Sequence, residues 1–130
     1  MDYPQTVKDN MTTWSIPEAI KMSWLGMLRF GKYKQGKGRL YRAETDCFCV
    51  LGLLMLASGV TREEMSETSS PVFLDPAVKL RINFDVDCRF YLFSGVTECS
   101  LINLNDTQML TFEEIAYWVD NYVTTSESLS

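Results

Sequence analysis

The 130-residue chain contains no histidine. Ser-His-Asp and Cys-His catalysis, imidazole general bases and the zinc sets that use imidazole are therefore excluded. An enzyme on this chain would have to work with carboxylates, lysine, tyrosine or cysteine, so a non-catalytic role without metal or cofactor is expected. Long apolar runs are lacking as well. The longest, residues 47–57, has 11 residues, whereas a helix needs roughly 20 to cross a bilayer. The opening Met-Asp-Tyr-Pro-Gln does not have the basic-then-apolar layout of a secretory signal. The expectation is a protein that stays in the cytosol where it is made. Cysteine is limited to Cys47, Cys49, Cys88 and Cys99. In a reducing compartment these are read as free thiols that pack as small hydrophobes.

What is present fits one globular domain. The apolar fraction of 46% and charged fraction of 22% are those of ordinary folded chains, and the length is enough for a self-sufficient core. The run from Cys47 to Ala57 carries no charge, amide or hydroxyl. A helix that is apolar all round must be covered on all sides. The expected architecture is α+β, with a buried central helix over about 46–58, capped by Thr45 or Asp46 and closed by Gly59. A buried strand is the rival reading, but the run is long for a strand and rich in Leu and Met rather than β-branched residues.

Amphipathic helices should pack around this rod. Ser15-Ile-Pro-Glu18 reads as a capping box opening a helix over about 16–30, with Ile16, Ile20, Trp24, Met27 and Leu28 on its apolar stripe and Lys21 and Arg29 in water. Thr111-Phe-Glu-Glu114 opens another over about 112–123, with Phe112, Ile115, Ala116, Val119, Tyr122 and Val123 inward and Trp118 at the edge. Thr61-Arg-Glu-Glu64 offers a third capping box, and Asp75-Pro76 an N-cap with proline at the first helical position. Alternation from Phe84 to Leu92 predicts a strand, with a turn at Ser94-Gly95 and an antiparallel return over 96–104. Asn105-Asp106 reads as a further turn. Residues 1–14 are expected to be an arm pinned by Trp14, residues 15–123 the domain, and residues 124–130 a flexible tail.

Charge is unevenly placed. Arg29, Lys32, Lys34, Lys37, Arg39 and Arg42 put six cations into 14 residues without an acid, so the rest of a chain of net charge −5 carries −11 (−5 minus +6). Phe30, Tyr33 and Tyr41 are interleaved. Cations, aromatics and glycines together can hold a phosphate or stack a base, or this stretch is a solvated hairpin balancing an acidic surface. The candidate site is accordingly Lys32, Tyr33, Lys34, Lys37, Arg39, Tyr41 and Arg42, facing a partner or a phosphate-bearing ligand. Residues 31–38 nearly spell a P-loop, but Gly38 stands where the Mg²⁺-binding hydroxyl belongs. Cys47-x-Cys49 on a helix would point its sulfurs about 200° apart, which is no metal clip. Asp85 and Asp87 would share a strand face, the place where a carboxylate-lined enzyme cleft could form. Glu113 and Glu114 favour the start of their helix and diverge too far to act as a pair.

Three stretches carry a resemblance. Trp24-Leu-Gly-Met-Leu-Arg-Phe-Gly-Lys-Tyr-Lys-Gln35, Cys47-Phe-Cys-Val-Leu-Gly52 and Leu101-Ile-Asn-Leu-Asn-Asp106 through Thr111-Phe-Glu-Glu-Ile-Ala116 resemble a family of small uncharacterised proteins of tailed bacteriophages and prophages. The chain departs from that pattern where Phe48 separates the two cysteines and where Met109 replaces a glycine. The resemblance implies a phage accessory protein working in the bacterial cytoplasm. The expected function is to bind and modulate a host macromolecule, plausibly inhibiting a defence system. Sequestration of a nucleotide-like ligand is the alternative, and an enzyme without histidine the third reading.

Overall fold

The computed structural model describes residues 14–87, 90–93 and 99–126, with the backbone alone at 91–93, 99 and 103. The fold is α+β, and its centre is the apolar run. Six consecutive residues, Val50 to Met55, are buried on helix α2, Val50–Ala57, and Val50, Leu53 and Leu54 are fully so. At roughly 1.5–3 kcal/mol for each large apolar side chain removed from water, this covered stretch is a substantial part of the core.

The helix starts later than expected. Cys47–Phe48 is drawn into a sheet as strand β4, and Asp46 sits at φ 53°, in a turn rather than at a cap. The cap falls to Cys49, whose sulfur accepts from Gly52 N at 3.4 Å. The two cysteines are therefore not in the helix, although Cys49 is buried. At the other end Ser58 N–H returns to Leu54, and Gly59 takes the left-handed φ of 95°. Gly52 has a separate task. A Cβ there would stand 1.9 Å from Leu40 O, so only glycine lets α2 seat against the chain at Leu40.

Helix α1, Glu18–Phe30, lies against both α2 and α5, Phe112–Tyr122. Buried Trp24 donates its indole N–H to Val50 O at 3.1 Å, fixing α1 to the start of α2. Lys21 is not simply solvated, because its ammonium reaches Asp120 O and Val123 O at the end of α5. On α5 the predicted stripe is buried, and so is Trp118. The helix carries the full Thr111/Glu114 capping box.

Residues expected to cap α1 pair instead. Ser15–Pro17 is strand β1, hydrogen-bonded in parallel to Thr124–Ser126, and Pro17 takes the N-cap position without a side-chain bond. The tail expected from residue 124 thus begins as a strand, labelled β7. Trp14 packs edge-on to Phe90 with ring centroids 5.1 Å apart, while residues 1–13 and 127–130 lie outside the described residues.

Among the described residues, three small sheets stand where one small antiparallel sheet was expected. Strands β2, Lys34–Gln35, and β3, Tyr41–Arg42, flank β4, the first in parallel and the second antiparallel. Helices α3, Arg62–Met65, and α4, Pro76–Lys79, begin at the caps read from Thr61 and Asp75. Of the strand expected over 84–92, the described residues 84–87 and 90 are not strand. Asp85 Oδ1 accepts from Asp87 N at 2.8 Å, closing a turn, and Asp87 pairs with Lys79 at 2.7 Å. Tyr91–Phe93 (β5) and Cys99–Ser100 (β6) do pair, antiparallel, and the turn at Ser94-Gly95 falls outside the described residues. Helical backbone follows from Leu101, widening into a π-helical turn over Asn103–Thr107, where a turn at Asn105-Asp106 was expected.

Candidate functional site

The site is organised by two amides. Asn105 is 3% exposed, and all four of its hydrogen-bonding positions are used. Its Oδ1 accepts from Gln35 Nε2 at 3.0 Å and from Val50 N at 3.2 Å. Its Nδ2 donates to Gly36 O at 2.8 Å and to Asp106 Oδ1 at 2.7 Å. Gln35 uses three of its four positions: besides Asn105, Nε2 donates to Leu110 O at 2.8 Å, and Oε1 accepts from Phe112 N at 3.0 Å. Val50 and Phe112 are the first residues of α2 and α5, whose N–H groups have no partner within their own helices. One amide pair therefore satisfies both helix starts and ties the basic segment to them.

A groove opens beside this clamp. Its volume is about 410 Å³, and it is lined by residues 35–37, Asn105 and residues 109–111. A second depression of about 340 Å³ is lined by Leu110, Glu114, Tyr117 and Trp118, and the two meet at Leu110. Met109 stands at the groove 66% exposed and with φ 55°, a backbone region that glycine enters freely and a side chain makes costly.

The seven residues read as a site divide by direction. Tyr41 is buried against Phe48 with centroids 4.7 Å apart, and its hydroxyl donates to Asp46 Oδ1 at 2.7 Å, which raises the phenol's pKa. Tyr33 is half-buried and edge-on to the same ring. Arg62 covers Tyr41 and Phe48, 5.9 and 5.2 Å from their centroids. The Tyr41 ring is thus covered by Phe48 and Arg62, whereas Tyr33 stays half-exposed. Lys34 reaches Thr45 O at 3.4 Å, Arg39 bonds Gly38 O, and Arg42 faces Glu67 at 3.8 Å. Among the described residues, Lys32 and Lys37 are exposed and bonded to nothing, and only Lys37 lines the groove.

The P-loop likeness finds no support in the geometry. Gly38 N, a donor that a phosphate would claim, donates to Asp106 Oδ2 at 3.1 Å, and Gly36 N donates to Phe48 O. Asp85 and Asp87 form a turn and do not share a strand face. Burial pushes the Cys49 thiol up to about 12, so it is a structural thiol and no nucleophile at neutral pH. Cys88 and the side chain of Cys99 lie outside the described residues. Among the described residues no group of three acidic, cysteine or histidine side chains could hold a metal, and no helix is long and apolar enough to span a membrane.

Residues 16–69 match a domain of unknown function, DUF8296. The DUF8296 match runs from β1 past α3, so it holds Gln35 and Gly52 but stops well before Asn105 and the 109–111 wall. No curated protein and no solved structure matches the chain.

Gln35, Asn105 and Met109 were not among the predicted site residues. Asn105 looked like a turn because Asn-Asp pairs usually make one, and burial is what converts it to a hub. A signal was nonetheless present: all three stretches quoted for the phage resemblance contribute to this clamp, through Gln35, Val50 and Asn105 with Phe112.

Proposed function

We propose that the protein is a non-catalytic phage accessory protein that binds a host macromolecule in the bacterial cytoplasm, engaging it through the groove beside Lys37. The observation that carries this reading is the coincidence of an open, largely apolar groove with a cation that the described fold does not use. A groove lined by apolar chains with a few placed polar groups is the usual form of a binding site. Asn105 is saturated and Gln35 nearly so, so the amides hold the residues of the groove in place and leave Lys37 and Met109 to meet a partner. Modulation of a host defence component is the role that the phage resemblance favours. Sequestration of a phosphate-bearing ligand has less behind it, because Asp106 takes the backbone donor of Gly38 and the tyrosines turn inward.

Affinity capture from phage-infected cells tests the proposal. The wild-type protein should retain one stoichiometric partner, and the Lys37→Glu variant should lose it while keeping its melting temperature. Failure to retain any partner across several hosts would sink the reading.

A further inference from the structure

Helix α1 is buried on one side and bare on the other. Trp24, Leu25 and Leu28 mark the side turned to the core. At about 100° per residue, the opposite line runs through Ala19, Ser23, Gly26 and Phe30, with Met22 beside it. Phe30 is 83% exposed and Met22 65%. Charged residues ordinarily hold the outer face of a helix, yet this line has none. Gly26 is the second oddity. Glycine weakens a helix interior, and a Cβ here would meet nothing within 4 Å. At Gly52 the backbone of Leu40 demands glycine, whereas at Gly26 nothing among the described residues does. A missing Cβ in the middle of an exposed face lets another backbone come close.

The line is its own complement. When a second copy is laid across it antiparallel, with the two-fold axis between Ser23 and Gly26, Phe30 of each copy falls at the level of Ala19 of the other, and Gly26 at the level of Ser23. Large thus meets small along the whole face. The charges agree with the same arrangement when every one on the helix and at its ends is counted. Arg29 and Asp120 cancel at 3.0 Å, and Lys21 lies on the flank, turned to the last carbonyls of α5. That leaves Glu18 at the start of α1 and Lys32 just past its end, both exposed and without an ion pair among the described residues. The antiparallel pairing sets each Glu18 beside the second copy's Lys32. It also puts Lys21 at the level of Leu28 and Arg29 at that of Ile20, so no like charges of α1 meet.

We propose that two copies of this chain dimerise through the outer face of α1, antiparallel about a two-fold axis between Ser23 and Gly26. A foreign helix would have to match size and sign separately, whereas a second copy supplies both by symmetry. One pair of helices of 13 residues gives a small interface, so the dimer is weak and forms at micromolar concentrations or above. The face shares no residue with the groove at Lys37, and the proposal does not depend on the binding role given above.

Sedimentation equilibrium of the full chain, from micromolar to near-millimolar concentration, tests this. The wild-type protein should show a monomer–dimer equilibrium. Phe30→Asp should weaken the dimer at least about tenfold without changing the melting temperature of a dilute sample. Gly26→Gln should weaken it by a similar factor while raising that melting temperature, because its side chain meets nothing in its own chain and suits a helix better. A residue with a merely structural role would not give that combination. Glu18→Lys and Lys32→Glu should each weaken the dimer about threefold, and the double variant should restore it to within about twofold. A dimer indifferent to both Phe30→Asp and Gly26→Gln, or two single reversals that the double variant fails to rescue, would overturn the proposal. So would a protein monomeric at every concentration; if Phe30→Asp then lowers the melting temperature, a segment of the same chain covers the face instead.

Discussion

Helix α3 satisfies its first turn from within its own sequence: Thr61 Oγ1 accepts from Glu64 N at 3.2 Å, and Glu64 Oε1 accepts from Thr61 N at 2.9 Å. Helices α2 and α5 are satisfied at their first residues by a pair of amides 70 positions apart, Gln35 and Asn105. The first device is exposed and partly ionic, with Arg81 bridging to both Glu64 oxygens at 2.6 and 2.7 Å. The second is buried and neutral at its centre. Water can replace the bonds of the first when one partner is removed, whereas the second strands its remaining partners inside the protein. The same kind of orphan N–H is thus capped at very different risk.

The largest effect should come from unseating α2 itself. Gly52→Ala puts a methyl into Leu40 O, a backbone atom that no rotamer change can move aside, and the loss should be about 3 kcal/mol or more by urea denaturation. Loss well under that value would mean that the α2–Leu40 contact is softer than its geometry.

Breaking the clamp comes next. Asn105→Ala leaves Val50 N–H and Gly36 O without this partner and takes one of its acceptors from Gln35 Nε2, at about 2–3 kcal/mol. Hydrogen exchange should then speed up at the start of α2, whose Val50 N–H bonds Asn105 directly, and at the start of α5 through the loosened Gln35 that holds Phe112 N–H. Protection lost at only one helix would show that the amides act separately.

Thr61→Ala is the matching change at the exposed corner, and about 1 kcal/mol is expected. Thr111→Ala should cost a similar amount, because its capping box has the same form. The contrast between these values and that of Asn105→Ala is the quantity to measure. If all three fall together, burial is not what sets the difference.

Acid should separate the corners with the smallest effect at neutral pH. Hydrogen bonding from Arg81, then from the Thr61 backbone, holds the Glu64 carboxyl down to about 2 from an ordinary 4.5. A lowered carboxylate contributes stability that is fully present above about 4.5 and is lost as pH falls toward 2. Arg81→Ala should therefore flatten the acid limb of a stability–pH profile and reduce its salt sensitivity. The Gln35 and Asn105 amides carry no ionisable proton, so Asn105→Ala should lower the whole profile without changing that limb.

Much of this fold was legible because it is written locally. A run without a polar atom must be buried, and α2 is. The Thr-x-x-Glu boxes and Asp75-Pro76 name helix starts within four residues, and all three helices begin there. Where the reading failed, a long-range partner had intervened. Ser15 and Glu18 look like a capping box, but β1 pairs with residues 124–126 and leaves Pro17 at the cap. Cys47 and Phe48 belong to a helix by hydrophobicity and to a sheet by their neighbours on β2 and β3.

The candidate site shows the same division. Sequence alone determined a covered central helix, its two amphipathic companions and a cation-rich stretch, because hydrophobic period, capping chemistry and charge are properties of neighbouring residues. Tertiary structure alone decided that Tyr33 and Tyr41 turn inward, that Lys37 faces a groove, and that Asn105 is a hub rather than a turn. Direction and burial depend on what lies across the fold, and for Asn105 the decisive neighbour is a glutamine 70 residues away.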